Sequence, residues 1–524
     1  MSKYLVAADA DQIQNFLFRA SHLREVIGGS MQLESFCKES TKGALDSVGG
    51  KVDNNLIISA GGSFRLEFDD LVPARHFLDD LAERFRRQTG NTLTVAGPIA
   101  YEPHEFRAKN RELQLQLMEA KLKHEYAEAI AHTPATAFCV SCGSEYAVKH
   151  TTPTPEKALD QQDRPIYLCK SCSNKAKERK EDQADFFQRL RREIRTQYPN
   201  LKKRPLETPY DPAELIGSLD PTQYVGYIKA DGNGMGKRFD SRNSKDELRD
   251  LSDKLTNALW KSLAKPIDNL LKRIDERRNE SQTKFEQIPI VPLIVGGDDL
   301  FVLVPARYAL DIARDIGEKF EEEMGEGVTT GMAVVICQQH YPYTLAHARA
   351  ETLLKTAKKI GKHEDVKLST VSIETIIGNR LSVTQEIEGP FLKTFFIGDE
   401  NKVVAKRNWG LPLKTLLEQR KALKDVPNKR LNEIRRLFDE ARGKKRSFDE
   451  AEFRRLQKRI ASEPFDKAVR ALGNEDKDND LVLRTFSVPD EDRYYAHGLA
   501  NLIEMWQYAF MLNVPAKDYQ AEVA

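Results

Sequence analysis

Two segments of this sequence combine glycine and aspartate in a way that suits metal-assisted phosphate chemistry. They read Ala230-Asp-Gly-Asn-Gly-Met-Gly236 and Gly296-Gly-Asp-Asp299, and each follows an apolar, β-branched run. Such runs predict buried strands, which here deliver Asp231, Asp298 and Asp299 to one sheet edge. Clustered carboxylates hold Mg²⁺ or Mn²⁺ against phosphates, and glycine lets a phosphate approach the backbone. The two segments together predict nucleotidyl transfer.

Four of the six cysteines form a second candidate site. They are arranged as two C-x-x-C pairs, Cys139 with Cys142 and Cys169 with Cys172, separated by 26 residues. Two such pairs can surround one tetrahedral ion, and four cysteines make a closed structural zinc site. The alternative is two redox-active or free-thiol pairs. With no export signal at the start of the sequence, a reducing compartment and a zinc site are favoured.

Composition limits the classes of protein to which this chain can belong. Its 524 residues are 40% hydrophobic and 31% charged, which predicts several folded domains of about 100–200 residues each and excludes global disorder. The net charge of +1, from 81 basic and 80 acidic residues, confines any nucleic-acid surface to a local patch. The longest apolar run, Ile288–Val295, contains two prolines. We therefore expect no membrane span and a cytoplasmic location.

An internal repeat supplies the elements that would position the acids. Each copy predicts a strand, a helix, a hairpin, a helix and a strand, in that order. In the first copy these are Tyr4–Asp9, residues 12–18, Leu56–Phe68, His76–Gln88 and Thr92–Ala100. In the second they are Tyr227–Asp231, Lys245–Arg277, the hairpin at Gly296–Asp299, Tyr308–Met324 and Val328–Ile336. This β-α-β-β-α-β order is ferredoxin-like, the core of palm-type polymerases and nucleotide cyclases. The agreement of the local motifs in order favours a repeat over a shared fold with chance lettering.

The two copies differ where chemistry is expected. Gly61-Gly-Ser-Phe64 stands in the first copy where Gly296-Gly-Asp-Asp299 stands in the second. Ser63 and Phe64 thus replace both hairpin carboxylates. We expect the first copy to be a structural or regulatory partner that cannot assemble the metal cluster.

Beyond about Glu386 the sequence predicts helices. A basic stretch within this region, Lys429–Arg459, has 12 basic and six acidic side chains. It is either a surface for RNA or protein or an ordinary solvated helical face, and the second interpretation is slightly favoured. The predicted helices are Pro412–Leu423, Asn428–Ala441, Phe448–Ser462 and His497–Met511.

The predicted fold class is therefore α+β, with two ferredoxin-like palm domains. The first palm, residues 1–135, is degenerate, and the second, residues 216–385, is catalytic. A zinc-binding element with a helical linker occupies residues 136–215 between them. A helical C-terminal domain, residues 386–524, follows the second palm.

The second copy resembles the GGDEF and palm superfamily of nucleotide cyclases. Its lettering is similar to that of the large polymerase–cyclase subunit of type III CRISPR effector complexes, and the N-terminal region is similar to the first palm of that subunit. The matching segments are Ala230–Gly236 for the first acidic motif, Gly296–Asp299 for the GGDD hairpin, Thr330-Gly-Met-Ala333, Ala350–Lys362, Ile13-Gln-Asn-Phe16 and Leu23-Arg-Glu-Val-Ile-Gly-Gly-Ser30.

This resemblance implies synthesis of cyclic oligoadenylates from ATP in a complex of guide RNA and partner subunits that responds to target RNA. A 3′-hydroxyl would attack an α-phosphate and pyrophosphate would leave. Asp231 and Asp298 would bridge the metals, with Asp299 completing the site and the Gly232 carbonyl as a further ligand. The guanine-selecting lettering of bacterial GGDEF cyclases does not occur in this sequence, which favours ATP.

The resemblance also implies nucleotide contacts outside the acids. Gly296 and Gly297 would bring backbone close to the nucleotide, Lys358 would hold the triphosphate, and Lys362 is a weaker candidate for the same task. The alternative for Lys358 is an ordinary exposed helix lysine. The alternative for the hairpin is a tight turn with solvated acids.

Two departures from the family pattern qualify the resemblance. The sequence contains no His-Asp dipeptide and starts on the first palm strand, so we expect no N-terminal nuclease domain and no DNA cleavage by this chain. Asn233 stands where the family often has a second acid, which leaves one charge fewer. Two other functions remain open: a stand-alone cyclase that needs no guide RNA, and a non-catalytic palm scaffold. The retained acids of the second copy disfavour the scaffold.

Overall fold

The architecture was determined from a computed structural model. It describes residues 3–20, 23–123, 136–151, 166–178, 185–209, 211–277, 285–325, 327–376, 391–398, 409–441, 448–473, 483–487, 489 and 494–512. The chain divides into two compact units. The first unit comprises Met1–Arg192, Gly234–Trp260 and Pro292–Asp299, and the second comprises Glu193–Asn233, Lys261–Val291 and Leu300–Ala524.

The first unit contains a four-stranded antiparallel sheet in the order β2-β3-β1-β4. β1 lies between β3 and β4, so that Asp9 at its end is opposite both Ser63 and Thr94. This is the strand order that a ferredoxin-like repeat requires. The strands are β1 (Lys3–Ala10), β2 (Leu56–Ala60), β3 (Ser63–Phe68) and β4 (Leu93–Tyr101).

Helices cover this sheet and complete its core. The fifth helix, Leu71–Thr89, is capped at its start by Asp70, whose side chain accepts a hydrogen bond from the Val72 N–H, and at its end by Gly90 with φ +72°; both are common capping choices. Phe36 packs edge-on against Phe64 and Phe85, with ring centroids 5.9 and 5.0 Å apart. The helices are α1 (Ile13–Phe18), α2 (Leu23–Ser35), α3 (Thr41–Ser47), α4 (Val52–Asn55), α5 (Leu71–Thr89) and α6 (Phe106–Lys123), with a π-helical turn at Phe36–Ser40.

The segment between the two copies forms a small cysteine-containing element. Two short strands pair antiparallel, and the second leads directly into a helix. The elements here are β5 (Lys149–Thr151), β6 (Ile166–Leu168) and α7 (Lys170–Glu178), followed by α8 (Asp185–Gln197) and α9 (Pro212–Ser218).

The second copy is built on a seven-stranded sheet in the order β13-β12-β11-β10-β7-β9-β8. Its first four strands in chain order, β7 to β10, lie in the order β10-β7-β9-β8, which is the same arrangement as β4-β1-β3-β2 in the first sheet. The predicted fold class, with its two ferredoxin-like palms, is thereby confirmed. The strands are β7 (Tyr224–Gly232), β8 (Val291–Gly296), β9 (Asp299–Pro305), β10 (Thr330–Gln338), β11 (Ser369–Thr375), β12 (Phe395–Ile397) and β13 (Leu411–Pro412).

The helices of the second copy match the predicted ones closely. The helix over Lys245–Arg277 has the predicted bounds. The helix predicted over Tyr308–Met324 begins one residue later, at Ala309. No helix in the described part of the chain is long and apolar enough to cross a membrane. The helices are α10 (Met235–Asp240), α11 (Lys245–Arg277), α12 (Ala309–Met324) and α13 (Tyr343–Gly361).

The C-terminal region is mainly helical, as predicted, but it also contributes short strands. β12 and β13 extend the second sheet beyond residue 386, and a separate hairpin of β14 (Arg484–Phe486) and β15 (Tyr494–Ala496) follows. The domain boundaries stay predictions, and residues 377–390, around the last of them, lie outside the described residues. The helices are α14 (Leu413–Glu418), α15 (Asn428–Glu440), α16 (Glu450–Ile460), α17 (Glu463–Leu472) and α18 (Gly498–Met505).

Candidate functional site

Asp231 lies near the end of β7 and forms an ion pair with Lys358 of α13 through its Oδ2 atom. The Asp231 backbone is opposite Gly331 of β10. A Cβ atom at Gly331 would lie 2.5 Å from Cγ of Lys358. Glycine at this position therefore leaves the space through which the lysine side chain reaches the carboxylate.

The other carboxylate oxygen of Asp231 has a different environment. Oδ1 is buried and has no hydrogen-bond partner among the described residues. The backbone around it is held firmly, because the Thr330 hydroxyl donates to the Asp231 carbonyl at 3.0 Å and the Thr330 N–H donates to Ser369 Oγ at 2.9 Å. A buried anionic oxygen without a donor is costly, and a hard cation is the type of ligand that would satisfy it.

Asn233 presents a second buried oxygen in the same turn. Its backbone N–H donates to the Thr329 carbonyl at 2.8 Å, and its Nδ2 donates to Thr329 Oγ1 at 3.0 Å. These bonds fix the amide, and its Oδ1 has no partner within the described chain. The residue that the sequence suggested as a missing acid thus offers a neutral oxygen. The acidic pattern of the sequence did not predict this role, whose signal is the position of Asn233 two residues after Asp231.

A buried charged cluster is centred on Lys229, two residues before Asp231 on β7. Lys229, on the same face of β7, is 2% exposed and forms an ion pair with Glu351 of α13. Its Nζ is also 3.3 Å from Nε2 of His347. Burial and, secondarily, the Lys229 charge lower the pKa of His347 to about 3, so the imidazole is neutral and accepts from the ammonium. The cluster ties the strand that carries Asp231 to the helix that carries Lys358.

The Gly296–Asp299 hairpin has the predicted form. Gly297 has φ +61°, a backbone conformation that favours glycine, and Asp298 and Asp299 are half-buried at the turn and at the first residue of β9. The rest of β9 is buried and neighbours β7 in the sheet. The convergence of Asp231 with these two acids stays a prediction.

The remaining predicted residues also fall on these elements. Gly232 is the last residue of β7 and is opposite Thr330, while Lys362 directly follows α13. Of the predicted nucleotide-binding and catalytic residues, Lys358 and Asp231 are brought into contact by the structure.

The first copy has the counterpart of this pair, but its carboxylate is fully engaged. Lys121 of α6 forms an ion pair with Oδ2 of Asp9 at 2.5 Å, as Lys358 does with Asp231. Oδ1 of Asp9 accepts a hydrogen bond from Ser63 Oγ at 2.6 Å. Phe64 is completely buried in the core of the first palm. The first copy therefore has a hydroxyl and a phenyl ring where a metal site would need two acids.

The four predicted cysteines come together in the first unit. The Sγ atoms of Cys139, Cys142, Cys169 and Cys172 all lie within 4.8 Å of one another, and the sulfurs of Cys142 and Cys169 are 3.9 Å apart. Tetrahedral Zn–S bonds of about 2.3 Å place the sulfurs about 3.8 Å apart. The thiolate donor set and its spacing therefore fit one tetrahedral metal ion.

Comparisons with known proteins agree with this geometry. Residues 224–367 match the family model described as Cas10/Cmr2, second palm domain. That segment includes Asp231, Asn233, the Gly296–Asp299 hairpin and Lys358. No curated protein matches the sequence.

Solved structures show the same fold over a longer part of the chain. A Csm1–Csm4 cassette in complex with pppApApA aligns with a TM-score of 0.56 and 15% identity, covering 97% of this chain and 69% of that chain. The cassette in complex with pppApA aligns with a TM-score of 0.52 and 17% identity, covering 83% and 62%.

The similarity in sequence is low, and it establishes the fold. The chain spans 69% of the length of the Csm1–Csm4 structure with pppApApA and 54% of another, with cA4. The resemblance to the large palm subunit of type III CRISPR complexes is nevertheless confirmed by two independent comparisons, a family model and a fold. Residues 224–367 are similar to a Cas10/Cmr2 second palm domain, and in fold the chain resembles Csm1 of the Csm1–Csm4 cassette.

Proposed function

We propose that this protein synthesises cyclic oligoadenylates from ATP as a subunit of an RNA-guided type III CRISPR complex. The observation that carries the proposal is the asymmetry between the two strand-end aspartates. Asp9 has hydrogen-bonding or ionic partners on both oxygens, whereas Asp231 keeps one buried oxygen without a partner among the described residues. This difference favours a catalytic second palm over a scaffold built from two equivalent palms.

The donor set of the second palm suits Mg²⁺ or Mn²⁺. Asp231, Asp298 and Asp299 would be the anionic ligands, and the Gly232 carbonyl and Asn233 Oδ1 would be neutral ones; oxygen ligands of both kinds are typical of these hard cations. When bound, the ions would offset the negative charge that develops on the transferred phosphate and activate the attacking 3′-hydroxyl.

Lysine and glycine residues would hold the nucleotide. Lys358 is a point charge on a flexible stem, so its ammonium can leave Asp231 and contact the triphosphate, with Lys362 as a further cation close by in the sequence. Gly296 and Gly297 would allow close approach of the phosphates to the backbone. In this scheme the ion pair between Lys358 and Asp231 is a resting arrangement that ligand binding replaces.

The nature of the substrate and partners is inferred from the relatives. Two structures that match with a TM-score above 0.5 are of a Csm1–Csm4 cassette, in complex with pppApA or pppApApA. By similarity we propose ATP as the substrate and a Csm4-like subunit, guide RNA and target RNA as partners. We also propose Zn²⁺ as the ion of the four-cysteine cluster, with a structural role. The lack of DNA cleavage by this chain remains a prediction.

The test is to incubate the purified protein with each labelled nucleoside triphosphate and Mn²⁺ and to identify the products by mass. Cyclic oligoadenylates are expected from ATP and from no other nucleotide, at the full rate only with guide RNA, target RNA and partner subunits present, and no product under any condition would contradict the proposal. Co-purifying guide RNA and partner subunits would indicate the RNA-guided complex. Full activity of the isolated chain without RNA would instead indicate a stand-alone cyclase.

A further inference from the structure

The edge strand of the second palm's hairpin contacts a helix of the first palm. Ser30 of α2 is 7% exposed, and its hydroxyl donates a hydrogen bond to the Leu293 carbonyl of β8. β8 is the last strand of its sheet, so its outward backbone groups need partners other than a neighbouring strand. Ser30 is the partner of one such group, the Leu293 carbonyl, and Leu293 lies three residues before Gly296.

The two glycine turns are also in direct contact within the first unit. A Cβ atom at Gly61 would lie 2.9 Å from the Gly297 N and 3.0 Å from the Gly296 carbonyl carbon. A Cβ atom at Gly296 would lie 3.0 Å from Cα of Gly61. Backbone therefore packs on backbone here, and no other residue type fits at the contact without displacing one of the turns.

The first palm holds its own turn rigidly. The Ala10 N–H donates to the Gly62 carbonyl at 2.8 Å. Directly beside this bond, Asp9 binds both Ser63 and Lys121. The residues that replaced the metal site of the first copy thus form a closed network that fixes the turn against which the second hairpin rests.

We propose that the first palm is the positioning scaffold of the Gly296–Asp299 hairpin. Ser30 holds strand β8, and the Gly61-Gly62 turn holds the Gly296-Gly297 turn. Ser30 and Gly61 are positioning residues, since they act on Asp298 and Asp299 through the backbone. An effect of Ser30 and Gly61 on catalysis rests on the proposed function. The claim that they hold the hairpin in place does not.

Matched substitutions separate positioning from general destabilisation. Ser30→Ala removes the hydroxyl that binds β8, and Thr41→Val is its control, because the buried Thr41 hydroxyl donates to the Phe36 carbonyl at 3.2 Å inside the first palm. Gly61→Ala is matched by Gly49→Ala, because Gly49 has φ +74° but no atom within 4 Å of an added Cβ. Each control has a comparable local defect away from the hairpin.

The first measurement is amide hydrogen exchange of residues 291–299. We expect Ser30→Ala and Gly61→Ala to increase the exchange rate of this segment about tenfold, since each removes or distorts a contact of the order of one hydrogen bond. Thr41→Val and Gly49→Ala should leave the exchange rate of this segment at the wild-type value. Unchanged exchange in both test variants, or equal increases in the controls, would overturn the proposal.

The second measurement is steady-state oligoadenylate synthesis. We expect kcat to fall about tenfold in both test variants while the KM for ATP changes less than twofold, because misplaced ligands affect the reacting geometry more than ATP binding. Wild-type kcat in variants with loosened hairpins would overturn the catalytic part. If the wild-type protein makes no product, the proposed function fails, and hydrogen exchange alone decides the positioning claim.

Discussion

At the scale of single residues, the protein contains two aspartates in equivalent positions with different bonding. Asp9 and Asp231 are each the next-to-last residue of the first strand of a palm, and they pair with lysines of α6 and α13 respectively. Ser63 occupies the remaining oxygen of Asp9, whereas that of Asp231 is buried without a partner in the described chain. One hydroxyl therefore distinguishes a closed polar network from a site that can accept a cation.

This difference predicts unequal effects of the same substitution. Asp231→Ala should reduce oligoadenylate synthesis by about 10³ or more, the scale for losing catalytic electrostatics. Asp9→Ala should reduce it by at most about tenfold, because Asp9 supports a turn and has no ligand to bind. Product formation under saturating Mn²⁺ measures both. Equal losses would show that both palms bind catalytic metal.

Lys358→Ala should have opposite effects on its two proposed ligands. Removing the ammonium eliminates the cation that pairs with Asp231, so Mn²⁺ should bind more tightly in the absence of nucleotide. The KM for ATP should rise several-fold, because the triphosphate loses a counter-charge. Calorimetric titration with Mn²⁺ and steady-state kinetics measure the two effects.

The control for Lys358→Ala is Lys355→Ala. Lys355 is exposed and lies less than one turn earlier on the same helix. The Lys355→Ala variant should have the wild-type affinity for Mn²⁺ and the wild-type KM for ATP. Weaker Mn²⁺ binding in Lys358→Ala would contradict the exchange of partners proposed for this lysine.

At the scale of elements, the four-cysteine element is connected to the first palm by several contacts. Ser141, between its first two cysteines, donates to Glu25 of α2 at 2.5 Å. A Cβ at Gly28 would lie 2.1 Å from the Lys175 carbonyl oxygen, so α2 and α7 pack with their backbones close together. Loss of the metal should therefore loosen the first palm.

Cys139→Ser tests the structural role of this metal. The purified wild-type protein should contain about one zinc per chain, and the variant should contain less and unfold at a lower temperature. Its kcat at a temperature where it is folded should change less than its stability. Metal analysis that finds neither zinc nor iron in freshly purified protein would contradict the zinc assignment.

A buried histidine at the start of α18 predicts a pH dependence of stability. Nδ1 of His497 accepts from the Leu499 N–H at 3.0 Å, and burial, with a smaller effect of the Arg454 charge, lowers the pKa of His497 to about 3. In the unfolded chain the His497 imidazole is protonated below about pH 6.5. In the folded chain it stays neutral until the pH approaches about 3. This contribution to stability is present above pH 6.5 and is lost as the pH falls toward about 3.

His497→Asn should reduce that loss, because asparagine can accept the same N-cap hydrogen bond but does not titrate. Between pH 6 and pH 4.5, the free energy of unfolding should fall less steeply by about 1.4 kcal/mol per pH unit. Urea titrations at several pH values measure this slope, with the exposed His340→Asn as control. An unchanged slope would contradict a neutral buried His497.

The sequence predicted the elements of both palms because periodicity and turn residues are local signals. The bounds of α11 and the Gly-Gly hairpins follow from such patterns. Strands β11 to β13 were not predicted, because they lie beyond the repeat and two of them have only two or three residues. Short strands of this kind are defined by the sheet that they join.

The contacts of the candidate site were less predictable than its residues. Lys229 is a charged residue within a largely apolar strand. The sequence does not show that this charge is paired, because its partner Glu351 lies on α13. The contact between Gly61 and Gly296 joins residues far apart in the sequence, so no local pattern reveals it. The ion pair of Lys358 with Asp231 likewise depends on the packing of α13 on β7.

At the scale of the whole molecule, one strand order is used twice with different outcomes. Both sheets have the ferredoxin-like order, but only the second has the acidic residues at its hairpin turn. We propose that the first palm binds no catalytic metal and fixes the position of the second palm's hairpin. The chemistry would take place at the Gly296–Asp299 hairpin.

The most direct test of this claim is the double variant Asp298→Ala, Asp299→Ala, assayed with labelled ATP and Mn²⁺. Both acids are half-buried at a turn, so their removal should leave the fold and any RNA binding intact, as circular dichroism and co-purification would show. Without these ligands the charge on the transferred phosphate is not offset. We predict that synthesis falls by about 10³ or more. Oligonucleotide products at a near wild-type rate would contradict the account and leave the second palm as a scaffold.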